Sequence, residues 1–389
     1  MSVVATGAGM DGSDRRIEGI DMARALALMG MLAVHFGPTN DRSLAGQLYA
    51  LPHGRASVLF VVLAGIGVSL LARSDVARAR WRLAGFALVL LPLGLTLELL
   101  DNRVAVILHH YAAFFLLGAV ALRLPTSPLL GAALVMTVLG PAVYFAGRAE
   151  WPDLFTRSSV SLWRDPVTIG RALLISGPYP LLTWAGALLW GMYLGRKDLR
   201  SPRLAAVLVG CGIAVAVGTV LASNGLTAML GRPAGFDDFR VLLTTRAHSQ
   251  MPLWLVQAMA SASAVLGLSL LLARVAGRLV TPLAMLGRMA LSAYVLHLLI
   301  LTGWPDLLRH GGVGHALTAV LSFSAVAALL AMLWRPLGRG PLETVMHALA
   351  DRMGRLAGAK RTDDAGQASG GRPWRRNDPA PPDPPQIPR

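Results

Sequence analysis

The chain has 389 residues, of which 54% are hydrophobic and 15% are charged, and its mean hydropathy is +0.55. Because soluble domains carry about 25% charged residues, this composition excludes an ordinary soluble globular protein. The net charge of +15 would suit a nucleic-acid-binding protein, but the basic residues lie in loops and a tail between apolar runs. We therefore expect an all-α integral membrane bundle in contact with membrane lipids, with no nucleic-acid partner.

Ten apolar runs are long enough to cross a bilayer, which requires about 20 residues of α-helix. They cover residues 20–37, 57–73, 83–100, 104–122, 129–147, 178–195, 204–222, 252–273, 281–303 and 315–334. The segment before them is polar and acidic, without the basic-then-apolar order of a cleavable signal peptide, so we expect the first span to be retained. The sequence thus predicts a multi-pass protein of about ten transmembrane helices.

The region after the last span has two parts. Apolar residues first recur at helical spacing, which is typical of a helix lying at the membrane interface. The remainder is polar and then rich in Pro and Arg, a composition typical of disorder. The predicted organisation is a cytoplasmic N-terminal segment at 1–19, a transmembrane domain at 20–335, an interfacial amphipathic helix at 336–357 and a disordered tail at 358–389.

The loop charges indicate an orientation, because cytoplasmic loops of membrane proteins are enriched in Lys and Arg. With the N-terminus in the cytoplasm, the short inner segments 73–82 and 196–203 each carry four basic residues. The basic residues of the outer segments are spread over much longer loops. We predict a protein of the cell membrane with both termini in the cytoplasm.

In this topology, eight of the nine histidines lie at or near the outer ends of the spans. They are His35, His53, His109, His110, His248, His297, His310 and His315, whereas His347 lies inside. A shared outward-facing cavity lined by titratable groups would explain this distribution. The alternative is that the longer outer loops simply hold more histidines.

The first span carries Asp21, Arg24 and His35 on one helical face. At about 100° per residue, Arg24 and His35 fall about 60° and 40° from Asp21. Ionisable groups inside a span are costly, so they normally face the protein interior and are functional. Asp21 and Arg24 could form an ion pair, or Arg24 could bind a phosphate or carboxylate. His35 could be a satisfied polar residue or a base that accepts a hydroxyl proton.

The second span adds residues at its outer mouth. His53 and Arg55 could be site residues or solvated loop charges. Farther along the helix, Gly65 and Ser69 lie four residues apart, a spacing that favours close packing, which we expect to be against span one.

The ninth span adds Tyr294 and His297, which are about 60° apart and could cooperate. Arg288 lies about 180° from His297 on a straight helix, so both cannot face one cavity. Arg288 is therefore either a donor-binding residue or an anchor at the inner end of the span.

Several of these segments resemble the acyltransferase-three membrane enzymes. The first is Asp21-x-x-Arg24 followed eleven residues later by His35. The run from Phe60 to Gly65 and the segment from Leu286 to His297 resemble two further motifs of that superfamily.

A closer resemblance is to the YeiB-type family of bacterial membrane proteins, whose features recur at 177–196, 247–254 and 287–294. Together these similarities span nearly all of residues 16–335. This sequence differs from those families in two respects. Many YeiB-type and heparan-type relatives have Asn at the position of His35, and the catalytic histidine of the heparan enzymes has a spacing from span one that differs from that of His53.

Related lysosomal heparan-α-glucosaminide N-acetyltransferases move acetyl from cytosolic acetyl-CoA to a sugar amine on the far side of the membrane. The resemblance implies a similar reaction here. Acyl-CoA, with acetyl-CoA as the donor, would enter from the cytoplasm near Arg24. An extracytoplasmic sugar, lipid or polymer would supply the accepting hydroxyl or amine.

We therefore expect an acyl-CoA-dependent O- or N-acyltransferase in which His35 is catalytic and His53 or His297 assists. The residues expected to bind donor or substrate are Asp21, Arg24, Arg55, His248, Tyr294 and Arg288. No metal site is predicted. The acceptor, the acyl chain, the choice between direct transfer and an acyl-histidine, and the oligomeric state stay open, a homodimer being one alternative.

Two other functions also stay open. A proton-coupled transporter or exporter would use the Asp, Arg and His residues as a relay, and a membrane scaffold would keep the fold without turnover. Stabilisation against heat by acyl-CoA would separate an enzyme from both.

Overall fold

The computed structural model describes residues 17–38, 41–100, 104–158, 160–305 and 311–369, and these residues form helices and connecting turns without a β-strand. The helices are α1 (Glu18–Phe36), α2 (Leu44–Tyr49), α3 (Arg55–Leu71), α4 (Val76–Leu97), α5 (Leu108–Ala121), α6 (Thr126–Glu150), α7 (Pro152–Phe155), α8 (Pro166–Arg171), α9 (Leu181–Gly195), α10 (Pro202–Leu230), α11 (Pro252–Val275), α12 (Thr281–Arg288), α13 (Ala290–Gly303), α14 (Val313–Trp334) and α15 (Pro341–Ser369). A π-helical segment, Ala172–Ser176, continues α8.

The predicted all-α membrane bundle is confirmed. Within the described ranges, α1, α4, α6, α10, α11 and α14 are long and apolar enough to cross a membrane. Two bent pairs, α8 with α9 and α12 with α13, each supply one more candidate span. The remaining two predicted spans coincide with the shorter helices α3 and α5, of 17 and 14 residues. The count of ten spans stays a prediction.

The helix that carries Asp21, Arg24 and His35 lies in the interior of the bundle. In α1, 72% of the apolar window is buried, against 28% in both α10 and α14. The neighbours of α1 include α3, α11 and α12. The ionisable side chains of α1 therefore lie inside the protein, whereas α10 and α14 form its periphery.

The small residues of α3 pack against α9, and the prediction that they pack against span one was wrong. A methyl group at Gly65 would overlap the carbonyl oxygen of Leu188. The Ser69 hydroxyl donates a hydrogen bond to the carbonyl oxygen of Met192 at 2.7 Å. Small-residue spacing identifies a close helix contact without identifying the partner helix.

The ninth predicted span is broken, and the assumption of a straight helix was wrong. α12 ends at Arg288, α13 begins at Ala290, and the two are bent by 78°. Gly287 packs so closely on α1 that any side chain would overlap the carbonyl oxygen of Asp21. The bend therefore removes the separation of about 180° expected between Arg288 and His297 on one straight helix.

A carboxylate from α15 caps the start of α13. The backbone N–H groups of Leu291 and Ser292 donate to Oε1 of Glu343 at 2.8 and 3.1 Å, and the Ser292 hydroxyl donates to Oε2. The first N–H groups of a helix have no partner within it, and a negative charge there is favoured by the helix dipole. Glu343 thus fixes the N-terminus of the half-helix that carries Tyr294 and His297.

α15 packs along α4, with Ala350 fully buried and Arg82 Nε 2.8 Å from Asp351 Oδ1. The apolar residues Val345 and Leu356 remain exposed, as expected for an amphipathic helix that contacts the membrane interface. The helix predicted at 336–357 starts at Pro341 and continues to Ser369, into the region expected to be a disordered tail. Residues 370–389 of that tail and residues 1–16 of the N-terminal segment lie outside the described residues.

Candidate functional site

The candidate residues lie toward two opposite ends of the bundle. We call the end at which α1 begins and α3 ends the arginine end. The opposite end, at which α1 ends and α3 begins, is the histidine end. α1 runs from one to the other, with Asp21 in its first turn and His35 in its last.

A cavity of about 610 Å³, which we call the donor cavity, lies toward the arginine end. Four arginines line it: Arg24, Arg73, Arg200 and Arg288. Most of its other lining residues are apolar side chains of α1, α3, α4, α5 and α13. A concave, mainly apolar site with a few charged groups is typical of small-molecule binding, and its volume lies within the usual range of about 300–1,000 Å³.

Asp21 and Arg24 form the ion pair considered from the sequence, with Arg24 Nη1 2.6 Å from Asp21 Oδ1. Asp21 is 2% exposed, whereas the Arg24 side chain retains 27% exposure, and both line the donor cavity. A guanidinium carries five N–H donors, more than one contact with a carboxylate oxygen uses. The ion pair and a ligand-binding role are therefore compatible.

Arg288 lines the same cavity, although a straight helix would have pointed it away from the histidine face. It gains this position because α12 ends at the break while α13 departs at a different angle. Tyr294, from α13, lines the cavity as well. The broken span therefore directs residues from both of its halves to one site.

His35 and His297 form a pair beyond the donor cavity. His35 Nδ1 lies 3.0 Å from His297 Nε2, the ring planes differ by 8°, and His297 is fully buried. The Tyr294 ring contacts the His297 ring with a centroid separation of 4.9 Å, and the Ile107 N–H donates to the Tyr294 hydroxyl at 3.4 Å. Tyr294 thus stands between the donor cavity and the histidine pair.

His53 and His248 form a second pair at the histidine end, with ring centroids 5.1 Å apart. Burial, together with the smaller effects of nearby His53, Arg157 and His35, lowers the pKa of His248 to about 3. Burial and the charge of Arg55 also lower the pKa of His53. Both rings are therefore neutral near pH 7, the state in which an imidazole nitrogen can accept a proton.

The loop that holds His248 adopts unusual backbone geometry. His248 and Gln250 have φ angles of 56° and 61°, a left-handed region that few residues other than Gly occupy. Gln250 is buried, donates from Nε2 to the Pro178 carbonyl oxygen at 3.1 Å and accepts from the Thr183 hydroxyl at 3.0 Å. These hydrogen bonds hold the strained turn in place against the start of α9, a device frequent at functional sites.

An aromatic wall connects the remaining histidines to this pair. The Tyr179 ring lies 6.1 Å from the His248 ring and 5.6 Å from the His110 ring, centroid to centroid. His109 and His110 are both fully buried, with ring centroids 4.1 Å apart. Six of the eight histidines expected in an outward-facing cavity are thus gathered as three ring pairs.

The other candidates lie elsewhere. His315 is exposed, His347 lines the donor cavity, and His310 lies outside the described residues. Arg55 Nη1 donates to the Leu51 carbonyl oxygen at 2.7 Å, and its side chain lines a second cavity between α1, α3, α10 and α11. Of the predicted binding residues, Arg55 therefore lines this second cavity rather than the donor cavity.

Sequence reasoning missed Tyr179, Gln250 and Glu343. Two of them belong to segments that resemble the YeiB-type family, and that resemblance was the available signal for Tyr179 and Gln250. No local pattern connects Glu343 to α13. Within the described ranges, no group of three His, Cys, Asp or Glu residues could hold a metal ion.

Two models of known protein families match parts of this chain. The family model described as heparan-alpha-glucosaminide N-acetyltransferase, catalytic, matches residues 16–225, more than half of the chain. A second, described as a protein of unknown function (DUF418), matches residues 195–352 and is YeiB-like. None of the curated proteins compared with the chain matches it. The chain is therefore an acetyltransferase-like membrane protein, and it belongs to the heparan-alpha-glucosaminide N-acetyltransferase catalytic family.

Proposed function

We propose that this protein is a cell-membrane acyltransferase that moves an acyl group, acetyl in the simplest case, from acyl-CoA to a hydroxyl or amine. The donor binds in the donor cavity from the cytoplasm, and the acceptor is a sugar, lipid or polymer at the opposite membrane face. One observation carries the proposal: Tyr294 lines the donor cavity and contacts His297, which shares a hydrogen bond with His35.

The lining of the donor cavity suits coenzyme A. The guanidinium groups of Arg24, Arg73, Arg200 and Arg288 can each bind two phosphate oxygens, and they gather beside an otherwise apolar space. The nucleotide phosphates would contact these arginines, and the pantetheine arm would extend along apolar side chains toward Tyr294. Asp21 would hold Arg24 in the orientation required.

The histidine pair can supply the base. When His35 donates its Nδ1 proton to His297 Nε2, the Nε2 atom of His35 keeps a lone pair that accepts the proton of the attacking hydroxyl or amine. The acceptor oxygen or nitrogen then bonds to the acyl carbon, the carbon–sulfur bond breaks, and the imidazolium protonates the departing thiolate. The hydrogen bond to His297 stabilises the transient imidazolium.

Tyr294 can stabilise the charge that develops on the acyl oxygen. Its hydroxyl oxygen accepts from the Ile107 N–H, which leaves its own proton free to donate to the thioester carbonyl. Donors fixed toward a developing oxyanion are among the largest contributions to enzymatic catalysis.

The proposal is tested by acetyl transfer from labelled acetyl-CoA to envelope lipids and glycans, using the purified full chain in proteoliposomes. We expect His35→Ala and His297→Ala to lower the rate by about 100-fold or more, as loss of a general base does. His315→Ala removes an exposed histidine at the same end and should leave the rate unchanged. Unchanged transfer by His35→Ala would remove His35 from the catalytic role.

Donor binding is tested separately, by the shift in Tm that acetyl-CoA causes. A ligand that binds only the native state stabilises it, so the wild type and His35→Ala should both be stabilised. Arg288→Gln should reduce the shift, because it removes a charge from the donor cavity. Absence of any shift in the wild type would contradict acyl-CoA binding and favour a transporter or a scaffold.

A further inference from the structure

A second cavity, which we call the lateral groove, lies between α1, α3, α10 and α11 toward the histidine end. It has a volume of about 660 Å³. Most of its lining is apolar, including Leu26, Leu59, Val217, Leu221 and Val265. It is separate from the donor cavity, with which it shares no lining residue.

The groove has the position and length of a lipid chain in one leaflet. From Gln257 to Val265, α11 rises about 12 Å, close to the half-thickness of a hydrocarbon core of about 30 Å. Val217 and Leu221 on the peripheral helix α10 are 52% and 65% exposed. This side of the groove therefore faces the membrane, so a lipid chain can enter it laterally.

Three polar side chains interrupt the apolar lining: Arg55, Gln257 and Ser261. Arg55, near the mouth, makes no ion pair with any carboxylate in the part of the chain that the structure describes. Gln257 is 4% exposed, its Nε2 donates to the Ser261 hydroxyl at 3.3 Å, and its Oε1 has no hydrogen-bond partner. A buried acceptor without a donor costs about 1–3 kcal/mol, so Oε1 is ready to receive a ligand's hydroxyl.

We propose that the lateral groove binds one membrane lipid that combines an alkyl chain, a phosphate and a free hydroxyl near the junction of the two. The chain lies along the apolar lining, the phosphate contacts Arg55, and the hydroxyl donates to Oε1 of Gln257. A bilayer supplies such a molecule laterally, on the side of the groove lined by α10.

The bound headgroup lies beside the histidine end, because Arg55 follows His53 by two residues. This places the lipid where the acyl acceptor is expected. That use of the lipid rests on the proposed acyl transfer, whereas the binding itself requires no donor and is tested without one.

Native mass spectrometry of the full chain in detergent tests the binding with a matched set of probes. Palmitoyl lysophosphatidic acid carries all three features. Hexadecyl phosphate lacks the hydroxyl, monopalmitoylglycerol lacks the phosphate, and glycerol phosphate lacks the chain. We expect lysophosphatidic acid to bind about tenfold or more tightly than monopalmitoylglycerol, about threefold or more tightly than hexadecyl phosphate, and glycerol phosphate not to be retained.

Three variants assign these preferences to residues. Arg55→Gln should remove the preference for the phosphate, and Gln257→Leu the preference for the hydroxyl. Val217→Trp fills the groove and should weaken every chain-bearing probe. The matched controls are Arg42→Gln, an exposed arginine just before α2, and Val326→Trp, a valine on α14 with similar exposure. Both variants should bind as the wild type does.

Unchanged binding by Val217→Trp would overturn the proposal, because the lipid would then lie elsewhere. Preferences that persist in both Arg55→Gln and Gln257→Leu would also overturn it, as would retention of glycerol phosphate without a chain. None of these results would contradict acyl transfer, which the rate and Tm measurements test independently.

Discussion

At the scale of single residues, the chemistry depends on contacts between side chains that are far apart in the sequence. His35 and His297 come from the last turn of α1 and the middle of α13, and their rings stack over a 3.0 Å nitrogen–nitrogen contact. Each ring nitrogen of this contact can donate to or accept from the other, according to the tautomer. The pair therefore exists because the fold brings two histidines 262 residues apart into contact.

The buried loop histidine predicts how stability depends on pH. The pKa of His248 is about 3 in the folded protein and about 6.5 when the chain is unfolded, so between these values the unfolded chain binds a proton that the folded chain does not. Stability should therefore fall as the pH drops below about 6.5, and the lowered pKa of His53 acts in the same direction.

Melting temperatures at about pH 7.5 and pH 5 measure this effect. We expect His248→Asn to lose less stability on acidification than the wild type does, while the exposed control His315→Asn behaves as the wild type. A wild-type Tm that rises on acidification would contradict the assigned burial of His248.

Some residue contacts are predictable from the sequence, and others are not. Asp21 and Arg24 are one helical turn apart, so their pairing follows from helix geometry alone. Gln250 contacts Pro178 and Thr183, which belong to a distant segment. Its role depends on tertiary packing, which no local spacing encodes.

At the scale of helices, glycines allow neighbouring helices to pack backbone against backbone, as Gly65 does between α3 and α9. Gly65→Ala should lower stability by about 1–3 kcal/mol, because its methyl group would overlap the backbone of α9 and force the helices apart. Gly218→Ala is the matched control: Gly218 lies in the exposed part of α10 with nothing within 4 Å of an added methyl group. Thermal unfolding in detergent measures both. Equal Tm values for the two variants would contradict the tight α3–α9 contact.

The break in the ninth span is where sequence reasoning about helices failed. Continuous apolar residues from 281 to 303 predict one helix, and the hydropathy pattern contains no sign of the 78° bend. The bend depends on Gly287 packing against α1 and on the Glu343 cap, and both partners are remote in sequence. The bend is also what brings Arg288 and Tyr294 to the same cavity.

Glu343 should act as a positioning residue. Glu343→Gln removes the negative charge that receives the N–H groups of α13, so Tyr294 and His297 should lose their fixed orientation and the transfer rate should fall about tenfold or more. The acetyl-CoA Tm shift should persist. Asp351→Asn is the comparison: it weakens the contact of α15 with Arg82 but leaves the cap intact, and its rate should stay close to that of the wild type. Equal losses in both variants would assign the effect to docking of α15 instead.

At the scale of the whole molecule, composition and hydropathy predict the class of fold well, because a bilayer imposes helices of a fixed length on any apolar chain. They do not predict which helices are central. α10 is among the most hydrophobic spans and yet lies at the periphery, since its apolar residues face lipid rather than protein. The central position of α1 follows from its small and ionisable residues, which need protein neighbours.

The orientation of the molecule is a prediction of the basic inner loops. Cys211 is the chain's single cysteine, so Cys211→Ser gives a background for labelling intact cells with a membrane-impermeant maleimide. In that background, Arg42→Cys at the histidine end should react, whereas Arg123→Cys at the arginine end should react only after permeabilisation. The reverse pattern would place the donor cavity on the outer face, out of reach of cytoplasmic acyl-CoA.

The position of a bound donor tests the relation between the two ends most directly. An experimental structure of the full chain with a non-transferable ketone analogue of acetyl-CoA would show where the acyl carbon lies. We predict phosphates against the arginines of the donor cavity and the analogue's carbonyl oxygen about 3 Å from the Tyr294 hydroxyl, on the side facing His35 and His297. An analogue bound outside that cavity, or separated from both histidines by packed aliphatic side chains, would contradict the proposed catalytic site.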